Sequence, residues 1–326
     1  MNEWLKRQWF LLALTCVVTL AFLLTDPLSP LLEWEQLRLW VVAAVLFLMS
    51  LPLHLSAFTQ VVLRPQPALL ACVINLGLGP LCTWPLIGWL GPELGGGLAV
   101  ALSTPCTLAS AAVWTRRSGG NDVTALMVTV VTNLLCVVLT PLWIQFLTAR
   151  ADEAGIGLGQ QVWKLTMLVL VPIVAAQSVR ILPGVGKWAG QQKSRLSILA
   201  QVGLLYIVLL GTIGSAIRWR TGEAASAAQW AILLSAIFGI HLFLFAVGLG
   251  TSGILGMDSR ERRAVAISGS QKTLMVGAEM GLSLGLSVLP LLIYHLFQLF
   301  ADTFLADGMK RYFDSPADSL TQAGDA

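Results

Sequence analysis

The sequence predicts an all-α polytopic membrane protein, and three observations support this. The chain has 326 residues, of which 56% are hydrophobic and only 11% are charged, and its mean hydropathy is +0.78. Soluble domains carry about 25% charged residues. The charges and the Gly/Pro positions also divide the chain into ten apolar segments, each close to the roughly 20 residues that a helix needs to cross a bilayer. We therefore predict ten transmembrane helices embedded in lipid.

The spans follow one another from the first residues onward. The first has basic residues before an apolar run, as in a signal peptide, but the run is long and TDPLSP follows it in place of small residues. We interpret it as a span. Residues 308–326 are polar and acidic and are predicted to form a disordered cytoplasmic tail. The ten predicted spans are residues 9–25, 37–58, 67–90, 94–116, 121–147, 161–182, 196–217, 229–253, 260–284 and 286–306.

Lysine and arginine positions predict the orientation of the spans. With both termini in the cytoplasm, 14 of the 20 lysines and arginines lie in cytoplasmic segments and 5 lie outside, while Lys272 falls within a span. The positive-inside rule favours this arrangement. We predict an integral protein of a bacterial inner membrane with cytoplasmic N- and C-termini. The positive charge is spread over separate segments, so no nucleic-acid partner is expected.

An internal repeat is indicated by two similar hexapeptides. PCTLAS at 105–110 and QKTLMV at 271–276 share a Thr-Leu step, and each lies in the fourth span of its half. Because five spans per half is an odd number, the second half must have inverted topology. Inverted repeats with interrupted helices are typical of secondary transporters. We predict a first five-helix repeat at 1–150 and a second, inverted one at 151–307.

Span four contains a proline in its middle, surrounded by hydroxyl side chains. Pro105 removes one backbone hydrogen bond and clashes with the preceding turn. Two interpretations stay open. The hydroxyls of Thr107 and Ser110 could bond back to a merely kinked helix, or the helix could be unwound, with its carbonyls and hydroxyls binding a cation or substrate.

Span nine carries a lysine where the surrounding sequence is apolar. Ser270, Gln271, Lys272 and Thr273 interrupt the span, and a lysine at a helix centre costs about 2.5–3.5 kcal/mol on insertion scales. Snorkelling to an interface is one interpretation, but the nearest cytoplasmic arginines are about 18 Å away along a helix. We therefore expect a partner or a water-filled site for Lys272. Glu279 is two turns further on, too far for a direct pair, and is expected nearer the outer surface.

Neighbouring spans add neutral polar residues. Asn75 lies in span three, Thr129 and Asn133 share a face of span five, and His241 lies in span eight. For Asn75, Thr129 and Asn133 the alternatives are hydrogen bonding between helices and a place in the binding site. His241 is either a core histidine or a proton carrier. Oxygen-rich groups with few carboxylates suit sodium better than zinc, and no nucleophile–base pair, metal motif or phosphate loop indicates an enzyme.

Together these segments resemble a known family of transporters. PCTLASAAVWTRRSGGND, then VTNLL and LTP, and finally SGSQKTL are similar to the bile acid:sodium symporter family, in its poorly characterised bile-acid-symporter-like branch. The resemblance implies two inverted five-helix repeats arranged as a panel and a core domain. It also implies that spans four and nine are broken and cross each other, with sodium and an organic anion bound near the crossing.

The resemblance also assigns residues. It places Asn75 where other members have a glutamine, matches Gln271 to a glutamine of span nine, and implies a sodium site at Thr107, Ser110, Thr129 and Gln271. A glutamate of the family is Ile267 here, and an asparagine is Lys272.

The predicted function is secondary active transport of a small organic anion, coupled to sodium and without any cofactor besides that ion. Lys272 could act as a built-in cation, or it could load and release a proton. The alternative is a non-transporting regulator or sensor on the same fold. The predicted substrate and ion site comprises Asn75, Pro105, Thr107, Ser110, Thr129, Asn133, Ser270, Gln271, Lys272 and Thr273.

Overall fold

The computed structural model describes residues 3–53, 64–148, 157–221 and 225–314, and every regular element in them is helical. A short 3-10 turn at Ser29–Glu33 follows the second helix. The helices are α1 Glu3–Leu23, α2 Thr25–Leu28, α3 Glu35–Ser50, α4 Gln66–Leu81, α5 Trp84–Ser103, α6 Ser110–Arg117, α7 Asp122–Leu147, α8 Leu158–Arg180, α9 Val185–Gln191, α10 Lys193–Thr221, α11 Ala227–Ile254, α12 Ser259–Ser270, α13 Leu274–Ser283 and α14 Leu289–Phe313.

Several of these helices are long and apolar enough to cross a membrane. Among the described residues six helices meet this description: α5, α7, α8, α10, α11 and α14. A seventh span is obtained if α1 is joined to the following segment, Thr25–Glu33, which is bent by 101° relative to it. Large apolar side chains such as Trp40, Trp89 and Phe300 are exposed on the outer helix faces, as contact with lipid requires. The chain is thus a helical polytopic membrane protein, while the ten-span inverted repeat stays a prediction.

Local sequence explains where several helices begin and bend. Asn121 caps α7 by accepting from the Val123 N–H, and Asp258 caps α12. Within α5, Gly91 has φ 74° and is followed by Pro92, so residues 84–90 and 92–103 form two helices with different axes. The fourth predicted span therefore begins after this kink, close to the predicted residue 94.

The helices pack in two groups. In one, α3 lies against α8 and α10, and α1 lies against α10. In the other, α4, α5, α7, α11 and α12 surround the interrupted segments, and α14 packs on α5 and α11. The last helix continues through Phe313, into the segment predicted as a tail, and residues 315–326 of that tail lie outside the described part.

Two interruptions meet in the second group. The chain is non-helical between Ser103 and Ser110 and again between Ser270 and Leu274. The Thr273 N–H donates to the Pro105 carbonyl at 2.8 Å, which joins the two breaks directly. We call these residues, 104–109 and 271–273, the paired breaks.

Candidate functional site

The first break keeps its backbone groups hydrogen-bonded without a helix. Since Pro105 has no N–H, the Ala101 carbonyl loses its usual donor, and the Thr104 hydroxyl donates to it at 2.8 Å instead. The Cys106 N–H donates to the Thr132 hydroxyl at 3.2 Å. This is the unwound alternative of the sequence analysis and not a kinked helix.

One face of α7 supplies donors to the carbonyls around Pro105. Buried groups on a helix in the membrane must find such partners, because no bulk water can provide them. The three bonds are Thr129 Oγ1 to the Thr107 carbonyl at 3.0 Å, Asn133 Nδ2 to the Cys106 carbonyl at 3.0 Å and Thr140 Oγ1 to the Ser103 carbonyl at 2.6 Å. Thr129 thus contacts the backbone of Thr107, one of the residues with which it was predicted to bind sodium.

The second break is held by α4 and α14. Asn75 Nδ2 donates to the Gln271 carbonyl at 2.7 Å and to the Ser268 carbonyl at 3.1 Å. Gln298 pairs with the backbone of Lys272 at both ends, its Oε1 accepting from the N–H at 2.8 Å and its Nε2 donating to the carbonyl at 2.8 Å.

Lys272 is fully buried, and carbonyl oxygens surround its ammonium group. Nζ donates to the carbonyls of Asn75 at 2.5 Å, Leu102 at 2.6 Å and Thr104 at 3.1 Å. Among the residues that the structure describes, no carboxylate comes within 4.0 Å of this nitrogen. We call these three oxygens the carbonyl cage. The ammonium has three hydrogens for these three carbonyls, and a fourth oxygen, Asn75 Oδ1, lies further away at 3.5 Å.

The cage exists because three carbonyls have lost their helical donors. Leu102 lies in the last turn of α5, and Thr104 is the first residue of the first break. Asn75 lies in a π-helical turn, Ile74–Leu78, in which the Gly79 N–H reaches back to Ile74. The next residue, Pro80, has no N–H to offer to Asn75. A Cβ on Gly79 would lie 3.1 Å from Nζ, so a glycine at this position leaves room for the ammonium.

A cluster of three side-chain oxygens lies beside the cage. Thr107 Oγ1 is 2.6 Å from Gln271 Oε1, Ser110 Oγ is 2.9 Å from the same oxygen, and the two hydroxyls are 2.7 Å apart. These distances are those of direct hydrogen bonds. We call these atoms the oxygen cluster, and they are three of the four predicted sodium ligands.

Sequence reasoning missed the contribution of α14. Tyr294, Gln298 and Asp302 are spaced by four residues and so share one helix face. All three side chains are buried, and they contact Ser270, Lys272 and Gln271 respectively. The spacing of these polar residues in an apolar segment was the available signal. His241, on α11, lies 3.0 Å from Asp302 through Nε2.

Glu279 is buried one helix further along the second interrupted segment. Its carboxylate lies 3.0 Å from Arg38 Nε and 3.2 Å from Lys164 Nζ. Both cations were assigned to the outer side by the positive-inside count, and Glu279 was expected near that surface. The ion pairs join α13 to α3 and α8.

A cavity opens between the two helix groups beside the paired breaks. Its volume is about 150 Å³, and it has Thr107, Ser110, Thr273 and His295 on one side. The opposite side is formed by α1, α3 and α10, with Met49 and Gln201. The lining is mostly apolar with a few convergent polar groups, which is typical of small-molecule sites.

The sequence was compared with known proteins. Residues 8–311 match the family described as the SBF-like CPA transporter family. The chain belongs to this family. The match covers nearly the whole chain and confirms the resemblance drawn from the motifs. Because the family consists of transporters, it also agrees with the expectation that the chain is not an enzyme.

Individual relatives extend this assignment. An uncharacterised protein of Pseudomonas aeruginosa is 28% identical over 281 residues, covering 83% of this chain and 79% of the relative. YfeH of Escherichia coli, which has a provisional symporter name, is 26% identical over 247 residues, covering 72% and 71%. The sodium/bile acid cotransporter 7-B of Xenopus laevis is 23% identical over 339 residues, covering 98% and 96%.

Proposed function

We propose that this protein is a secondary transporter that couples the movement of a small organic anion to sodium. The observation that carries the proposal is the direct contact of two interrupted helices beside a cavity, at Thr273 and Pro105. In secondary transporters, interrupted helices supply ion and substrate sites near the middle of the membrane. The relatives named as symporters and as sodium/bile acid cotransporters support the same class.

The ten-span arrangement belongs to this proposal. The proposed spans that are not among the long apolar helices are α3, α4 and the pair α12–α13, which are short or interrupted. We propose two inverted five-helix repeats in a bacterial inner membrane, with both termini cytoplasmic. The two packing groups would then be the panel and the core domain. Gln201 lies near the predicted cytoplasmic end of its span, 196–217, so the cavity would face the cytoplasm.

The oxygen cluster is the proposed sodium site. Hydroxyl and amide oxygens are hard, neutral ligands that suit a monovalent cation. Sodium binding would replace the hydrogen bonds that Thr107 and Ser110 now make with Gln271 by bonds to the ion. Thr129 and Asn133 would shape the site by holding the first break from behind.

Lys272 is proposed as a resident cation in the carbonyl cage. A charged ammonium can donate three hydrogens, and the cage offers three acceptors, whereas a neutral amine would leave one carbonyl unpaired. This favours a fixed positive charge over a proton that is loaded and released in each cycle. The charge attracts an anionic substrate toward the cavity.

Uptake by the full-length protein in proteoliposomes tests the function. Vesicles are incubated in a mixture of metabolites with an inward sodium gradient, or with choline in place of sodium, and their contents are analysed by mass spectrometry. We expect at least one organic anion to accumulate only with sodium, and to stop accumulating in the Thr107→Val variant. The matched control is Ser197→Ala, which removes a hydroxyl that lines the cavity outside the oxygen cluster.

Two other results would change the proposal. Accumulation driven equally by a proton gradient without sodium would replace sodium by the proton as the coupling ion. Vesicles in which no solute accumulates under any gradient would contradict transport and favour the regulator or sensor.

A further inference from the structure

Asp302 is a buried carboxylate that neither the sequence motifs nor the family assignment uses. Its side chain has no exposed surface, and it lies in the middle of α14. Oδ2 accepts from Gln271 Nε2 at 2.5 Å, and Oδ1 lies 3.0 Å from His241 Nε2. A carboxylate in this position is costly unless it is well paired. The amide of Gln271 is therefore its link to the oxygen cluster.

The orientation of the Gln271 amide follows from its two neighbours independently. The Thr107 hydroxyl accepts from the Ala111 N–H at 3.0 Å, so its own hydrogen is free to point at Gln271 Oε1. At the other end, an ionised Asp302 accepts hydrogens only, so it must face the NH₂ group. Both ends give the same result, with the amide oxygen in the oxygen cluster and the amide nitrogen on Asp302.

His241 holds Asp302 in this place. The Tyr294 hydroxyl donates to the Ser270 carbonyl at 2.9 Å and lies 3.4 Å from His241 Nδ1. The imidazole also packs edge-on against Phe297, with 5.7 Å between ring centroids. The position of Asp302 is thus held by His241 of α11, which in turn lies against Tyr294 and Phe297 of α14.

The charges around the paired breaks leave Asp302 as the available counter-ion. Among the described residues only Asp302 and Glu279 are buried acids, and Glu279 is paired with Arg38 and Lys164. The oxygen cluster is neutral, and Lys272 is positive. A sodium ion in the cluster would add a second positive charge beside Lys272, which a nearby carboxylate must offset.

We propose that Asp302, held by His241, is the counter-ion and positioning residue of the sodium site, and that it acts through the Gln271 amide. This inference rests on the proposed sodium coupling. Asp302 does not bind the ion itself. It turns the amide oxygen toward the cluster and supplies the negative charge that makes a second cation acceptable there.

The variant Asp302→Asn separates charge from hydrogen bonding. Asparagine can accept from Gln271 with its oxygen, and its NH₂ group can donate to His241 Nε2 once the ring hydrogen moves to Nδ1, so the amide orientation is kept while the charge is lost. Asp307→Asn removes an exposed carboxylate five residues further along α14, where Asp307 pairs with Arg117, and is the matched control.

The measurement is the melting temperature of the full-length protein in detergent as sodium chloride replaces choline chloride at constant ionic strength. For wild type and Asp307→Asn we expect sodium to raise the melting temperature. For Asp302→Asn we expect the half-saturating sodium concentration to rise by about tenfold or more, as loss of a nearby charge in a partly shielded site implies, with an unchanged melting temperature in choline.

The outcomes are distinguishable. A sodium titration of Asp302→Asn that matches wild type overturns the inference and leaves sodium coupling intact. No sodium response in wild type overturns the sodium coupling itself and the inference with it. If Asp302→Asn does not fold, Asp302→Glu decides, because it keeps the charge: a retained sodium response supports the inference and a lost one overturns it.

Discussion

Lys272 and Glu279 are two buried charges on the same interrupted segment, and they are stabilised in opposite ways. Lys272 is surrounded by neutral carbonyls that belong to α4, α5 and the first break. Glu279 is paired with two cations from α3 and α8. The cage lies wholly within the second helix group, whereas the ion pairs join α13 to α3 and α8 of the first group.

Hydrogen-bond geometry sharpens the contrast. Each donor of the Lys272 ammonium has a carbonyl acceptor. Both oxygens of Glu279, by contrast, lie within ion-pair distance of a cation without a well-directed hydrogen bond. An ion pair whose atoms are close but lack a well-directed hydrogen bond is easier to break than a hydrogen-bonded one. The cage is the tighter arrangement, because removing Lys272 leaves several buried carbonyls unpaired at once.

The largest effect is expected for Lys272→Met. The stem volume is kept, but three buried carbonyls lose their donor at about 1–3 kcal/mol each, so we expect the free energy of unfolding to fall by about 3–9 kcal/mol. Sodium-driven uptake should be lost. The melting temperature and the proteoliposome assay measure the two effects, and Lys310→Met, at the exposed end of α14, is the control. A Met variant with wild-type stability and uptake would contradict the role of the cage.

A smaller variant in the same cage asks whether the site accepts a free cation. Lys272→Ala removes the stem and leaves space beside the three carbonyls, which are ligands of the kind that alkali cations use. We expect Lys272→Ala to melt well below wild type in choline and to regain part of the difference in sodium or potassium. Absence of any cation effect beyond that on wild type would show that the cage needs the tethered ammonium.

Glu279→Gln is expected to have the next largest effect. Removing one partner of a buried ion pair is strongly destabilising. Arg38 would, however, retain its ion pair with Glu35 at 3.3 Å, and Lys164 is partly exposed to solvent. We therefore expect the free energy of unfolding to fall by about 2 kcal/mol. The melting temperature measures it, with Glu35→Gln, at a largely exposed partner, as the control. If Glu279→Gln lowered the melting temperature as much as Lys272→Met, the ion pairs of Glu279 and the carbonyl cage of Lys272 would contribute equally to stability, contrary to expectation.

How much of this could be predicted from the sequence differs between the two charges. The proline in span four and the polar run of span nine were sufficient to place the breaks, because both interrupt local helix formation. The acceptors of Lys272 were not predictable. They depend on a π-helical turn that frees the Asn75 carbonyl and on contacts between residues 168 or more positions apart. The distance argument excluded an interface for Lys272 but could not name three backbone oxygens.

For Glu279 the sequence held a partial signal. Arg38 and Lys164 fell on the predicted outer side, and Glu279 was expected toward the same surface, so a pair was foreseeable from charge and depth. Asp302, near the end of the predicted span 286–306, was overlooked. Its relation to Gln271 depends on the rotation of α14, which no single-sequence pattern defines.

Asn75→Leu tests the second break with a smaller expected effect. The backbone carbonyl that binds Lys272 remains, but the donor to the carbonyls of Gln271 and Ser268 is lost, at about 1–2 kcal/mol. The melting temperature should fall by less than in Lys272→Met, and uptake should be reduced. Val73→Leu, at an exposed position two residues earlier on α4, is the control. A fall as large as that of Lys272→Met would mean that the amide of Asn75, and not the ammonium, holds the breaks together.

The smallest effect is expected for Asp307→Asn, which provides an exposed ion pair for comparison with the buried pairs of Glu279. Asp307 forms two hydrogen bonds of 2.7 Å with Arg117, a geometry at least as good as that of Glu279 with its cations. Both partners are exposed, however, so water and salt screen the pair and can replace it. We expect no measurable change in melting temperature or in sodium-driven uptake. If Asp307→Asn proved as destabilising as Glu279→Gln, hydrogen-bond geometry would matter more than burial for the stability of an ion pair. The Glu279 pairs and the Lys272 cage would then differ in stability because of their geometry alone.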